Sequence, residues 1–184
     1  MNSMELQTDF AAEHEDSKQH GLAEALLLDG QGSARRVSRE EIDRLQLQPA
    51  ETLWLHWDRT HPDAQAWLRD HSGLSEFACD LLLEEGTRPR VVQPQPQQLL
   101  LFLRGVNLNP GAEPEDMISL RIFAEPNRVI SLRMRHLQAR SELSAELAAG
   151  KGPTSAQGLV LRLADLMTDK VEPLVADLSD LVDS

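Results

Sequence analysis

Seventeen residues, Thr52–Leu68 (TLWLHWDRTHPDAQAWL), constrain the fold more than any other stretch. Leu53, Leu55 and Trp57 alternate with Trp54, His56 and Asp58, the period of two expected of a strand with two different faces. Thr60 followed by Asp63 has the spacing of a capping box, and Pro62 is tolerated in a first helical turn. Ala64, Trp67, Leu68 and His71 then recur at helical spacing, with Ser72-Gly73 as the stop. A strand that runs directly into a helix requires a sheet with helices laid on it. All three Trp and three of the six His fall between 54 and 71, so a core argument and a metal argument both pass through this segment.

The flanking sequence supplies the other layers. Ala23–Asp29 ends in Asp29-Gly30-Gln31-Gly32, a turn from which Arg35–Val37 returns as a second strand. Ser38 caps a short helix over 39–45, with Glu40 and Glu41 in its first turn. Ser75 caps another, whose apolar face is Phe77, Ala78, Leu81 and Leu82, and within which Cys79 packs as a small apolar residue. Val91 and Val92 suit a sheet edge, and the Gln/Pro stretch 93–98 a loop. Leu99–Arg104 is apolar on both faces, as in a central strand covered on both sides. Strands over 117–125 and 128–135 are joined by Pro126-Asn127, and a helix follows over 136–149. Gly150-Lys151-Gly152-Pro153 reads as a linker.

The resulting expectation is an α/β (α+β mixed) chain: an αβα sandwich with a mixed central sheet flanked by helices, followed by a long C-terminal stalk helix. Residues 1–20 read as a mobile acidic tail, 21–150 as the sandwich and 151–184 as the start of the stalk. In the stalk, Leu159, Leu163, Leu166, Met167, Val171, Leu174, Leu178 and Leu181 form a stripe that becomes a heptad seam, with a kink or fresh start expected at Pro173. Residues 165–184 hold six acids and one lysine, and the seam is still running at Ser184, as in a piece of a longer protein.

Charge narrows the partners. The net charge is −12 and the isoelectric point about 4.9, which argues against nucleic acid and favours cations. One cysteine excludes an intrachain disulfide and a cysteine-based zinc cage, and fits a reducing compartment. The longest apolar run, Leu99–Leu103, is too short to span a bilayer. His56, Asp58 and His61, together with Asp63, are the metal-competent cluster of the folded part; the simpler reading is a polar strand end with a helix cap. His14 and His20 sit in the tail. No nucleophile elbow or phosphate loop occurs, so catalysis is not expected and no cofactor is required, although a bound zinc or other divalent cation is compatible. Two further readings stand beside this one. One is a soluble adaptor dimerising through the heptad helix; the other is a small metal-dependent hydrolase using His56, Asp58 and His61.

Five segments together resemble a known family: ALLLDGQG (25–32), LWLHWDRTHPDAQAWL (53–68), EEGTRPRV (84–91), MISLRIFAEPNRVISLRMR (117–135) and GKGPTSAQGLVLRLADLMTD (150–169). In order and spacing the chain is similar to the cytoplasmic N-terminal domain of CorA-type divalent-metal transporters, within them to the ZntB zinc-transport branch. The resemblance implies a homopentameric transporter at the cytoplasmic side of the inner membrane. Its sandwich domains and long helices would form a funnel, and the membrane would be reached only through C-terminal segments missing here. It also implies that zinc and other divalent cations are the partners, with Asp165, Asp169, Glu172 and Asp177 as candidate carboxylate contacts in the stalk. Gly105-Val106-Asn107 spells the pore signature of that family, but it sits between a strand and a polar loop and is read as coincidence.

Overall fold

The structure is a computed structural model that describes residues 20–86, 88–107, 109–113 and 116–169. The expected mobile tail, the Pro173 kink and the seam beyond Asp169 therefore lie outside the described residues, His20 excepted. Twelve elements follow in the expected order: β1 (Leu22–Leu28), β2 (Ala34–Arg36), α1 (Arg39–Ile42), β3 (Thr52–Asp58), α2 (Pro62–Asp70), α3 (Glu76–Leu83), β4 (Arg90–Val92), β5 (Leu99–Gly105), β6 (Ile118–Glu125), β7 (Arg128–Arg133), α4 (Gln138–Ala148) and α5 (Ala156–Asp169). One seven-stranded sheet has the order β2-β1-β3-β7-β6-β5-β4. Only β3 and β7 pair in parallel, so the sheet is mixed.

Both faces of the sheet are covered, which makes the αβα sandwich. On one face Leu55, Trp57, Leu100, Phe102, Phe123, Ile130 and Leu132 meet Ile42 of α1, Trp67 and Leu68 of α2, and Leu82 of α3. Trp57 and Trp67 stack with ring centroids 4.8 Å apart, pinning α2 to β3. On the other face Leu26, Leu28, Trp54, Leu120, Ile122 and Val129 meet Leu143 and Leu147 of α4 and Leu159, Leu163, Leu166 and Met167 of α5. Burying each such side chain contributes about 1.5–3 kcal/mol. The described part of the C-terminal stripe is thus committed to the sheet.

Local chemistry sets the ends of these elements. Asp29 Oδ1 accepts from the amides of Gln31 and Ser33 and closes the β1–β2 turn. Ser38 Oγ and Ser75 Oγ cap α1 and α3 as expected. The cap of α2 is not Thr60. Asp58 Oδ1 takes both the amide and the hydroxyl of Thr60, and His61 Nδ1 accepts from the Asp63 amide at 3.1 Å instead. Asp63 contributes its backbone to that cap rather than acting as one. The glycine-rich stretch 150–153 is a packed turn: Gly152 N donates to Gly32 O at 2.9 Å. A Cβ on Gly32 would lie 2.8 Å from Gly150 O, so the two turns meet backbone to backbone.

Candidate functional site

His56, Asp58 and His61 follow one another from β3 into α2, but each is engaged differently. His56 is fully buried on the α4–α5 face, with Nδ1 2.7 Å from Ser131 Oγ. Asp58 is half-buried and holds Thr60. His61 caps α2. Among the described residues no group of three or more His, Cys, Asp or Glu is placed to hold a metal ion. Rather than a polar strand end, His56 is part of the sandwich interior.

That interior contains a polar cluster without a local sequence signal. In register, Glu24 of β1 and Ser131 of β7 flank His56. Arg140, in the first turn of α4, donates from Nη1 to Glu24 Oε2 at 2.6 Å, with side chains 1% and 3% exposed. Ser144, one turn on, donates to the same oxygen at 3.2 Å, and Arg140 Nη2 donates to Ser141 Oγ. Trp54 Nε1 donates to Ser131 Oγ at 2.9 Å. An indole nitrogen only donates, so the Ser131 hydroxyl hydrogen is available to His56 Nδ1. The sheet-facing side of α4 is therefore polar at Arg140, Ser141 and Ser144 and apolar at Leu143 and Leu147. Its helical pattern reads weakly for that reason.

A second buried arrangement lies on the opposite face. Arg121 of β6 is 2% exposed and donates to Leu82 O at 2.7 Å, while Arg59 donates to Leu83 O and Glu84 O. The two guanidiniums cap the C-terminal carbonyls of α3, where the helix dipole favours cations. Burial, reinforced by repulsion from Arg59, brings the Arg121 pKa down to about 10. Burial also lowers that of Arg59. Neither arrangement contains a carboxylate cluster open to solvent.

Of the stalk carboxylates, Asp165 is exposed on α5 and Asp169 is its last residue; Glu172 and Asp177 lie outside the described residues. Arg162 of α5 makes a bidentate pair with Glu146 of α4. Eleven of the thirty acids and two of the eighteen bases fall in 1–20 and 165–184, leaving 19 acids and 16 bases, net −3, between them. The negative charge therefore concentrates at the two ends of the chain, and the sandwich is close to balanced.

The family model "CorA-like Mg2+ transporter protein" matches residues 49–184. The chain is 56% identical over 171 residues to the divalent cation transporter CmaX of Pseudomonas aeruginosa, covering 93% of this chain and 52% of that protein. It superposes on the structure of full-length CmaX with a TM-score of 0.85 at 58% identity, over 89% of this chain and 50% of that one. On the ZntB cytoplasmic domain from Vibrio parahaemolyticus the TM-score is 0.71 at 28% identity, over 86% and 63%. The chain thus spans about half the length of the curated relatives it matches. With a family model covering most of its length and a relative of this similarity, the chain belongs to the CorA-like Mg2+ transporter protein family.

Proposed function

We propose that the chain is the cytoplasmic part of a divalent-cation transporter, lying at the cytoplasmic side of the inner membrane and conducting or sensing ions rather than catalysing a reaction. In this reading residues 21–150 are the sandwich and 151–184 begin a long helix that leads to the membrane. Five copies would surround an acidic lumen. No helix among the described residues is long and apolar enough to cross a membrane, so passage through a bilayer falls to other segments. One observation carries the reading: α5 turns Leu159, Leu163, Leu166 and Met167 to the sheet and leaves Asp165 exposed on its outer side. In the sequence Asp169 and Glu172 recur from Asp165 at steps of four and three, with Asp177 further along, and carboxylates repeated around a lumen raise the local cation concentration. Relatives described as a divalent cation transporter and as a zinc transport protein support zinc and other divalent cations as the cargo. Leu174 and Leu178, through which an adaptor would dimerise, lie outside the described residues.

Calorimetric titration of the chain with Zn2+ and with Mg2+ tests this. Weak, multi-site binding is expected at about 0.01 M salt and should be largely lost at about 1 M, where the screening length drops from about 30 to about 3 Å. Asp165→Asn, Asp169→Asn, Glu172→Gln and Asp177→Asn together should remove most of it. Binding unchanged in that variant would take the helix out of the mechanism.

A further inference from the structure

The geometry points to an internal docking site: the arginine-rich end of the sheet formed by Arg59, Arg90, Arg104 and Arg121, with Met117 and Met134 beside it, binds the acidic N-terminal segment 1–19 of the same chain. Such a contact goes beyond cation conduction and does not depend on which ion is carried.

The site is built where α3 stops. Arg121 donates to Leu82 O, and Arg59 donates to Leu83 O, Glu84 O and Met134 Sδ. Neither guanidinium is paired to a carboxylate among the described residues, and Arg121 Nε is buried without a partner. Arg90, Phe102 and Arg121 lie side by side on β4, β5 and β6, and Arg90 stacks over the Phe102 ring at 5.0 Å. Nearer the end of the sheet, Arg104 stands opposite Ser119 and is exposed. Met117 and Met134, just outside the paired residues of β6 and β7, are 46% and 47% exposed. Glu84 reaches Arg90 at 3.1 Å, and Asp116 lies 3.9 Å from Arg135. Burial and then repulsion from Arg59 and Arg90, against the pull of Glu84, lower the Arg121 pKa, so the three cations feel one another. An anionic partner relieves that repulsion, and exposed methionines adapt to apolar side chains of varied shape.

Charge, attachment and length single out the occupant. Residues 1–19 carry Glu5, Asp9, Glu13, Glu15 and Asp16 against Lys18, together with Leu6 and Phe10. They join the sandwich beside the site: Gly21 O accepts from the Asp58 amide at 2.7 Å, and Arg59 is the next residue. From β1 to β5 is four strand spacings, about 19 Å. Asp16, Glu15 and Glu13 lie four to seven residues before His20, which at about 3.3 Å per residue spans about 13–23 Å. The acidic residues from Asp165 onward continue instead from α5, which packs on the opposite face of the sheet. A carboxylate held by a guanidinium is withheld from a divalent cation. Docking therefore lowers the cation affinity of this segment, and cations favour its release by the same factor.

Methionine-methyl NMR of the 184-residue chain tests the docking, with a spin label on Ala12→Cys in a Cys79→Ala background so that a single thiol carries it. At about 0.01 M salt the label should broaden Met117 and Met134 more than Met167, which is buried on the opposite face. At about 1 M salt, where the screening length falls to about 3 Å, that excess should shrink. Glu13→Gln, Glu15→Gln and Asp16→Asn together should reduce it by about threefold or more, the change in equilibrium expected from three exposed ion pairs. Broadening that these changes leave intact, or that reaches Met167 equally, overturns the proposal. Should the Cys79→Ala chain fail to fold, methyl shifts of the unlabelled parent decide: Met117 and Met134 should move when the three acids are neutralised. Shifts that follow added inorganic phosphate and ignore the neutralised segment refute the docking in favour of a free anion.

Discussion

Replacing Arg140 by methionine measures what the polar seat of α4 is worth. Its guanidinium lies 2.6 Å from Glu24 Oε2, and with side chains 1% and 3% exposed the pair is almost unscreened by solvent. Removing one member leaves the other charge buried without its counter-ion, at a cost of about 3–5 kcal/mol. Methionine keeps most of the aliphatic volume, so little of that loss comes from a cavity. For a chain of this size each kcal/mol moves the thermal midpoint by about 2–4 °C, giving an expected fall of about 6–20 °C. Glu24→Gln removes the carboxylate charge that faces the Arg140 guanidinium and should also lower the midpoint. The double variant removes both charges and should be more stable than the two losses summed, since a buried pair often breaks even against neutral groups. Urea unfolding followed by the fluorescence of Trp54, Trp57 and Trp67, all buried, reads each variant; a shifted midpoint at constant slope reports stability itself. Single losses below about 1 kcal/mol, or a double loss equal to the sum, would refute the assignment of Glu24 and Arg140 as a coupled pair.

Two further perturbations probe other parts of the fold. Gly152→Ala places a Cβ 2.7 Å from Leu147 Cγ and 3.1 Å from Gly32 O, and should lower stability by about 1–3 kcal/mol in a thermal melt; a neutral result would mean the turn is not packed as described. Cys79 is buried, with Sγ donating to Leu68 O at 3.3 Å, and burial raises its pKa. The folded thiol therefore keeps its proton where the unfolded one begins to ionise, near about pH 8.5. Its stabilising contribution is full below that value and is lost as pH rises through the raised one. Cys79→Ala should flatten this alkaline decline, and iodoacetamide should label the folded parent far more slowly than the denatured chain; equal rates would contradict the burial.

Much of the architecture is legible in the sequence because local chemistry dictates it. The period of two in 53–58, the Asp29–Gly32 turn and the Ser38 and Ser75 caps each depend on neighbours within a few positions. Element ends drift for the same reason: the helix expected over 136–149 spans Gln138–Ala148, and the one expected over 39–45 spans Arg39–Ile42. Leu99–Arg104 is apolar on both faces, yet β5 is second from the edge, since coverage by helices rather than centrality sets that pattern. At α2 the capping spacing favoured Thr60, but the nearer Asp58 carboxylate took Thr60 and left the cap to His61. The polar cluster was not legible at all. Glu24 and Arg140 are 116 residues apart, and α4 resembles an ordinary exposed helix because the polar residues it buries read as surface. The carboxylates expected to meet cations fall largely past Asp169, where only the helical pattern of the sequence speaks for them.

The meeting of Gly32 with Gly150 and Gly152 has a mechanical consequence. Side chains between two elements act as springs, since a rotamer change absorbs a displacement of an ångström or so. Where glycine backbone touches glycine backbone that compliance is missing. If the N-terminal end of α5 is pulled or twisted by whatever follows it, the Gly152–Gly32 hydrogen bond must either break or drag the β1–β2 hairpin along. The hairpin is thus coupled through backbone to the start of α5, and a spectroscopic label in its turn, at exposed Gln31, is well placed to follow it.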